Sequence, residues 1–270
     1  MQITRQTMYL QTVEFLKAFF ALPGFNSVSI KGISPASPDD SQAVLSAVDA
    51  SWHDILSDVD FKVRISIHPS LRSQAESVSQ TLLPLIRQKD GFLGLSIQGN
   101  ACKTQEDAVE TVRLCLTSGY RADIIFEIRW DDSVPPLPAC ENTSSPVTSD
   151  AFWFIAVQAL GKLLRRDYLI ADHLAHMLIM EGLVWQMEAR DVKYGTNIHR
   201  YGYGEVPAYQ STDTEAFAFL FDKIEPAGRR TAENLCRAAL TYDALTGRDS
   251  SNQSKHEIFF ALWSCYLQGL

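Results

Sequence analysis

Two aspartates, Asp58 and Asp60, open the run Ser57-Asp58-Val59-Asp60-Phe61-Lys62-Val63-Arg64-Ile65. From Val59 onward the apolar residues Val59, Phe61, Val63 and Ile65 share one parity, and Asp60, Lys62 and Arg64 share the other. That alternation is the signature of a half-buried strand. Asp58 and Asp60 therefore leave the same face. Like charges set that close repel unless a cation lies between them, and hard oxygen donors of this kind suit Mg²⁺. Read alone, the pair also fits a solvated strand end with no chemistry at all.

Two further stretches complete a constellation. Arg121-Ala122-Asp123-Ile124-Ile125-Phe126-Glu127-Ile128 is a second alternating strand, with Asp123 and Glu127 on one parity and Ile124, Phe126 and Ile128 directed to the core. Upstream, Val28 and Ile30 end a short strand that runs into Gly32-Ile33-Ser34-Pro35. A glycine turn lets backbone N–H groups approach a phosphate. Three carboxylates can hold two Mg²⁺ ions, which clamp the attacking and leaving oxygens of an in-line displacement. The pieces for metal-dependent phosphoryl transfer are thus Gly32 and Ser34, then Asp58 and Asp60, then Asp123.

The elements that must position these residues follow from periodicity. Residues 7–21 have helical apolar spacing ended by Pro23-Gly24, and residues 25–30 alternate. Residues 34–57 read as a loop, or as a loop plus a short helix at 42–48. Residues 69–89 read as a helix, residues 92–98 as a strand, and residues 106–115 as a helix or a strand, with strand preferred. Residues 134–149 are rich in Pro, Ser and Thr and form the best linker. Ser149-Asp150 can cap a helix over 151–166. Helices over 167–190, 212–221, 227–246 and 256–267 follow, with a Gly/Tyr/Asn loop over 194–209. Mixed strands and helices, then a linker, then helices alone, predict two domains.

Composition sets the class. With 46% hydrophobic and 21% charged residues in 270, a sizeable core is expected. The net charge of −8 argues against a general nucleic-acid binder and favours cationic partners. The five cysteines are odd in number and contain no CxxC pair, so buried thiols in a reducing cytoplasm are expected. The first 25 residues carry Arg5, Glu14 and Lys17 and read as an amphipathic helix rather than a secretory signal. No run has the apolar length of a membrane span. A cytoplasmic protein, monomeric or homodimeric, is the expectation.

In their order, these stretches resemble the DNA-polymerase-beta-type nucleotidyltransferase superfamily, and within it the bacterial aminoglycoside 6-adenylyltransferases (the streptomycin adenylyltransferase family). Ser57-Asp58-Val59-Asp60-Phe61 is similar to the family's D-[YV]-D-[FI] strand, and Gly119-Tyr120-Arg121-Ala122-Asp123-Ile124 to its G-N-R-I-D-L. Phe152-Trp153, Lys162 and Arg166-Asp167 look like its E-F-W-W…A-K-G-L-W-R-D segment, and His199-Arg200-Tyr201-Gly202 sits where it has a G-K-x-G turn. The resemblance implies an α+β fold: a nucleotidyltransferase-type mixed sheet with flanking helices over 1–135, a linker over 136–149, and an all-α helical-bundle, substrate-binding domain over 150–270. It implies adenylyl transfer from ATP to a hydroxyl of an aminoglycoside-like small molecule. Asp58, Asp60 and Asp123 would hold Mg²⁺, and Asp123 or Glu127 would accept the hydroxyl proton. Gly32, Ser34, Lys162, Arg200 and Tyr201 would meet ATP.

The chain departs from that pattern in the glycine turn. The family has Gly and Ser adjacent in G-S-R, whereas here Ile33 takes the Ser position and the Arg is missing. A second family Lys is replaced by Tyr203. A non-catalytic protein on the same fold, binding a small ligand or a protein partner, is the competing expectation. Trp153 and Trp185 read as core, His173 and His176 as helix residues rather than a metal pair, and the cysteines as packing.

Overall fold

The computed structural model describes residues 3–73, 78–86, 91–100, 107–137, 151–194, 214–246 and 255–269. The architecture is α+β: a five-stranded mixed sheet with flanking helices, followed by helices alone. The chain divides into two compact units, Met1–Ala151 and Phe152–Leu270. The expected linker falls largely on residues 138–150, outside the described residues, as does the expected Ser149-Asp150 cap.

The first unit opens with α1 (Arg5–Phe20), whose N-terminus is closed by a capping box between Thr4 and Thr7. Its end turns through Gly24 at φ 74°, where a Cβ would sit 2.0 Å from the Ser66 carbonyl oxygen. Only glycine satisfies both conditions. Strand β1 (Phe25–Ile30) follows, then α2 (Ser41–Ser51), capped by the Asp40 side chain accepting from the Ala43 N–H at 3.1 Å. Helix α2 is longer than the 42–48 expected: it starts at the Asp40 cap and runs to the buried Ser51, whose hydroxyl donates to the Ala47 carbonyl at 2.9 Å. Strands β2 (Val59–Ile67), β3 (Phe92–Asn100), β4 (Asp107–Leu116) and β5 (Arg121–Trp130) complete the sheet.

The strand order is β1-β2-β5-β4-β3. The central pair β2 and β5 runs parallel, and every other pairing is antiparallel. The parity read from the sequence is the burial pattern found. Val59, Phe61, Val63 and Ile65 on β2, and Ala122, Ile124, Phe126 and Ile128 on β5, are all buried. Against them lie Phe15 and Phe19 of α1: Phe15 and Phe19 approach Phe61 at ring-centroid distances of 5.6 and 5.3 Å, and Phe19 meets Phe126 edge-on. The Tyr120 hydroxyl is buried against Thr12 of α1 at 3.1 Å. Burying aromatic side chains of this size contributes roughly 1.5–3 kcal/mol each, so α1 is what fixes the inner face of the sheet.

The single helix expected over 69–89 is corrected. The structure has a 3₁₀ turn at Pro69–Ser73 and a short helix α3 at Val78–Leu82. Pro84 lacks an N–H and disfavours the helical conformation at Leu83, which bears on where α3 ends. The α3 N-terminus is held from the sheet, with the Glu110 carboxylate accepting from the Val78 and Ser79 N–H groups at 2.9 and 2.8 Å.

The second unit contains helices Ala151–Leu164, Tyr168–Tyr194, Pro226–Thr246 and Lys255–Gly269. Over 212–221 the described chain forms only a 3₁₀ turn at Glu215–Phe217 and a four-residue helix at Ala218–Phe221. An aromatic cluster fastens these elements: Phe152 stacks on Tyr242 at 3.7 Å, and Trp153 packs on Tyr242 and Phe259. Trp153 is thus a core residue, and the Trp185 side chain lies outside the described residues. Among the described residues no helix is long and apolar enough to cross a membrane.

Candidate functional site

The parallel pairing of β2 and β5 brings the acidic residues together. Asp60 is the register partner of Asp123, one strand spacing away. Asp58 lies just before β2, and its position is set by a closed loop. The Ser57 hydroxyl accepts from the His53 and Asp54 N–H groups, both at 3.0 Å, and donates to Asp54 Oδ1 at 3.2 Å. Asp54 Oδ1 in turn accepts from the Leu56 N–H at 2.8 Å. Such side-chain turns fix a strand entry that sequence periodicity cannot.

Each carboxylate has a basic neighbour. Asp60 is paired with Lys31. Asp58 Oδ2 lies 3.7 Å from Arg121 Nη2, and the buried Arg121 is anchored by donating from Nη1 to the Leu56 carbonyl at 2.9 Å. Asp123 Oδ2 lies 3.3 Å from Nε of Arg113, its register partner on β4. The electrostatics show that the acids share one patch. The Asp123 carboxyl is pushed up to about 6, first by burial, then by the charges of Asp58 and Asp60, against the opposing Arg113 and Arg121. Lys31 is raised above the ordinary ammonium value, chiefly by its hydrogen bond to Asp60, with Asp58 and Asp123 adding to it.

Glu127 lies on the same face of β5, farther along. Lys62 and Arg64 of β2 grip it at 2.6 and 2.8 Å and hold its carboxyl below the usual carboxylate range.

Gly32 belongs to a two-residue turn. The Ile30 N–H donates to the Ile33 carbonyl at 2.8 Å, and the Ile33 N–H donates back to Ile30 at 2.9 Å. Lys31 and Gly32 between them have φ of 48° and 83°, the signs of a type I′ turn. The Ile33 N–H is thereby engaged within the turn. Ser34 follows it, exposed. Lys162 is in the second unit, where it pairs with Asp167 at 3.3 Å. Arg200, Tyr201 and Tyr203 lie outside the described residues.

The sequence alone passed over Lys31 and Arg113. The readable signal for Lys31 was the Lys-Gly dipeptide between two apolar residues, which as a hairpin turn sets the residue after Ile30 opposite the one before Phe61, given the Ile30–Phe61 pairing.

Carboxylate oxygens are the donors Mg²⁺ takes, and adjacency of three of them fits that ion in kind. As they stand, no three His, Cys, Asp or Glu side chains among the described residues enclose a point as a metal-holding group. The Lys31 ammonium is already on Asp60. Compared with known proteins, the chain matches no protein-family model and no curated sequence.

Proposed function

We propose that this chain is a Mg²⁺-dependent nucleotidyltransferase of the polymerase-beta type that transfers AMP from ATP to a hydroxyl of an aminoglycoside-like small molecule. The observation that carries the reading is the adjacency of Asp60 and Asp123 across a parallel strand pair, with Asp58 close enough to raise the Asp123 carboxyl. The order of elements supports it as well: a strand, a glycine turn, a helix, the Asp58–Asp60 strand, and a later strand with the third acid.

In this reading Asp58, Asp60 and Asp123 hold the divalent ion. Bound there, Mg²⁺ would supply charge stabilisation to the transferring phosphoryl group. Asp123 accepts the proton of the acceptor hydroxyl, whose oxygen bonds to the α-phosphorus as pyrophosphate departs. Glu127, gripped by two cations, is the weaker base of the two. The acidic balance of the chain attracts a cationic acceptor.

The test is nucleotide consumption with Mg²⁺ across a panel of aminoglycosides and lincosamides. Turnover with at least one acceptor is expected, and Asp58→Asn combined with Asp60→Asn should remove it. A double variant as fast as the wild type would refute the site assignment.

One observation favours a second reading, a non-catalytic binder on the same fold: each acid already has a basic neighbour, and the Ile33 N–H serves its own turn. That reading expects no heat from any nucleotide in calorimetry, together with tight binding of a small ligand or a protein.

A further inference from the structure

Lys31 combines three features that are independent of one another. The first is its backbone. At φ 48° it occupies the left-handed region, which costs a residue with a Cβ on the order of 1 kcal/mol and which Gly and Asn occupy most readily. Two-residue turns of this kind strongly prefer Asn-Gly or Gly-Gly. A non-glycine residue held there points to a use for its side chain. The second feature is register. Ile30 pairs with Phe61, so the residue that follows Ile30 emerges beside the one that precedes Phe61, which is Asp60. The third is charge. The ammonium pairs with Asp60 and also feels Asp58 and Asp123, so it sits within the field of all three acids rather than on one alone.

The Lys31 and Asp60 side chains are 40% and 41% exposed. The ammonium rides on a flexible four-carbon stem with one face in water, and nothing buries it in place. It can leave Asp60 without unfolding the turn. Arg121 differs: its side chain is 10% exposed and anchored to the Leu56 carbonyl. Arg113 is tied to Asp123 from the neighbouring strand. Of the three cations that pair with these acids among the described residues, Lys31 is the exchangeable one.

We propose that Lys31 is a built-in counter-ion of the acidic patch, which competes with a divalent cation for Asp60 and must swing away before the cation binds. The proposal rests on the nucleotidyltransferase reading above, since it takes Asp58, Asp60 and Asp123 as the divalent-ion ligands. It assigns Lys31 a positioning role. With Lys31 in place the patch holds its own charge, and free Mg²⁺ enters against a like charge. An incoming polyphosphate offers the ammonium an alternative anion and leaves Asp60 open, so metal and nucleotide are taken up together.

The experiment is a Mn²⁺ titration of the full chain without nucleotide, read by electron paramagnetic resonance of the free ion. Wild type, Lys31→Asn, Lys31→Gly and Lys31→Arg are compared. Asn and Gly keep the turn because both accept its backbone angles. Their Mn²⁺ affinity is expected to rise about tenfold, the scale of removing one half-screened charge next to a divalent ion, while Lys31→Arg stays close to wild type. Equal affinity in wild type, Lys31→Asn and Lys31→Gly would overturn the Lys31 proposal and leave the metal reading standing. Absence of Mn²⁺ binding in all four would overturn both.

Discussion

Asp123 and Glu127 stand four residues apart on one face of β5, and their surroundings push them in opposite directions. Asp123 is half-buried beside two other acids, with one arginine within 4 Å, and its carboxyl rises to about 6. Glu127 lies where β2 presents Lys62 and Arg64, and its carboxyl falls. The strand is the same and the side chains differ by one methylene, so the surroundings make the difference: burial first and then two acids at Asp123, two cations at Glu127. The β2 residues of this parity run Asp60, Lys62, Arg64, acidic at the start and basic beyond. The β2–β5 register pairs Asp60 with Asp123 and Arg64 with Glu127. One end of the face gathers three carboxylates, each with one basic neighbour, and the next stretch sets a single carboxylate between two cations.

The contrast can be broken or sharpened by exchanging each carboxyl for its amide. The largest effect is expected on turnover. Asp123→Asn should lower nucleotide consumption about 10³-fold, within the range for loss of a positioned acid or base. Glu127→Gln should stay within about tenfold of wild type, the effect of disturbing a neighbouring ion pair. Steady-state assays of the two variants side by side decide this, and equal losses would erase the distinction drawn between them.

Smaller effects, of opposite sign, are expected on stability in the absence of divalent cations. The folded Asp123 carboxyl titrates above its ordinary value of 3.8. The fold therefore favours the protonated acid; that contribution is fully present below about pH 4 and lost as pH rises through about 6. Asp123→Asn should then stabilise the protein at pH 7.5 by about 1 kcal/mol, after allowance for partial exposure and for the partner lost by Arg113, and have little effect at pH 4. Glu127 has the reverse linkage: its stabilisation is present above the ordinary value of 4.5 and lost as pH falls through its lowered folded value. Its side chain is 32% exposed and its partners are at the surface, so Glu127→Gln should cost only a few tenths of a kcal/mol at neutral pH, and less at high salt. Urea unfolding at pH 4 and 7.5, each at low and high salt, measures both.

The acids on the strands were legible in the sequence, because strand parity is a local property and Asp60, Asp123 and Glu127 each declare their face within a few residues. Both core faces followed from the same alternation. What surrounds the acids was not legible. Lys31, Arg113 and Lys62 reach their carboxylates across strand boundaries, and such contacts depend on which strands pair and in what register. The parallel β2–β5 pairing is a long-range outcome of the whole sheet. Over residues 69–89 the apolar spacing favoured one helix, and the structure has a 3₁₀ turn and a short helix there, the helix ending before Pro84. The loop ahead of β2 depended on the Ser57 and Asp54 side chains bonding to the backbone, which leaves no periodic trace.

The central claim is that Asp58, Asp60 and Asp123 share one cation-seeking patch. The most direct measurement is a carbon-13 NMR titration of the Asp123 carboxyl, first without and then with millimolar Mg²⁺. A midpoint near pH 6 is expected in the metal-free protein, with a clear fall on adding Mg²⁺. A midpoint near 4 in both conditions, or one near 6 that Mg²⁺ leaves unmoved, would contradict the claim.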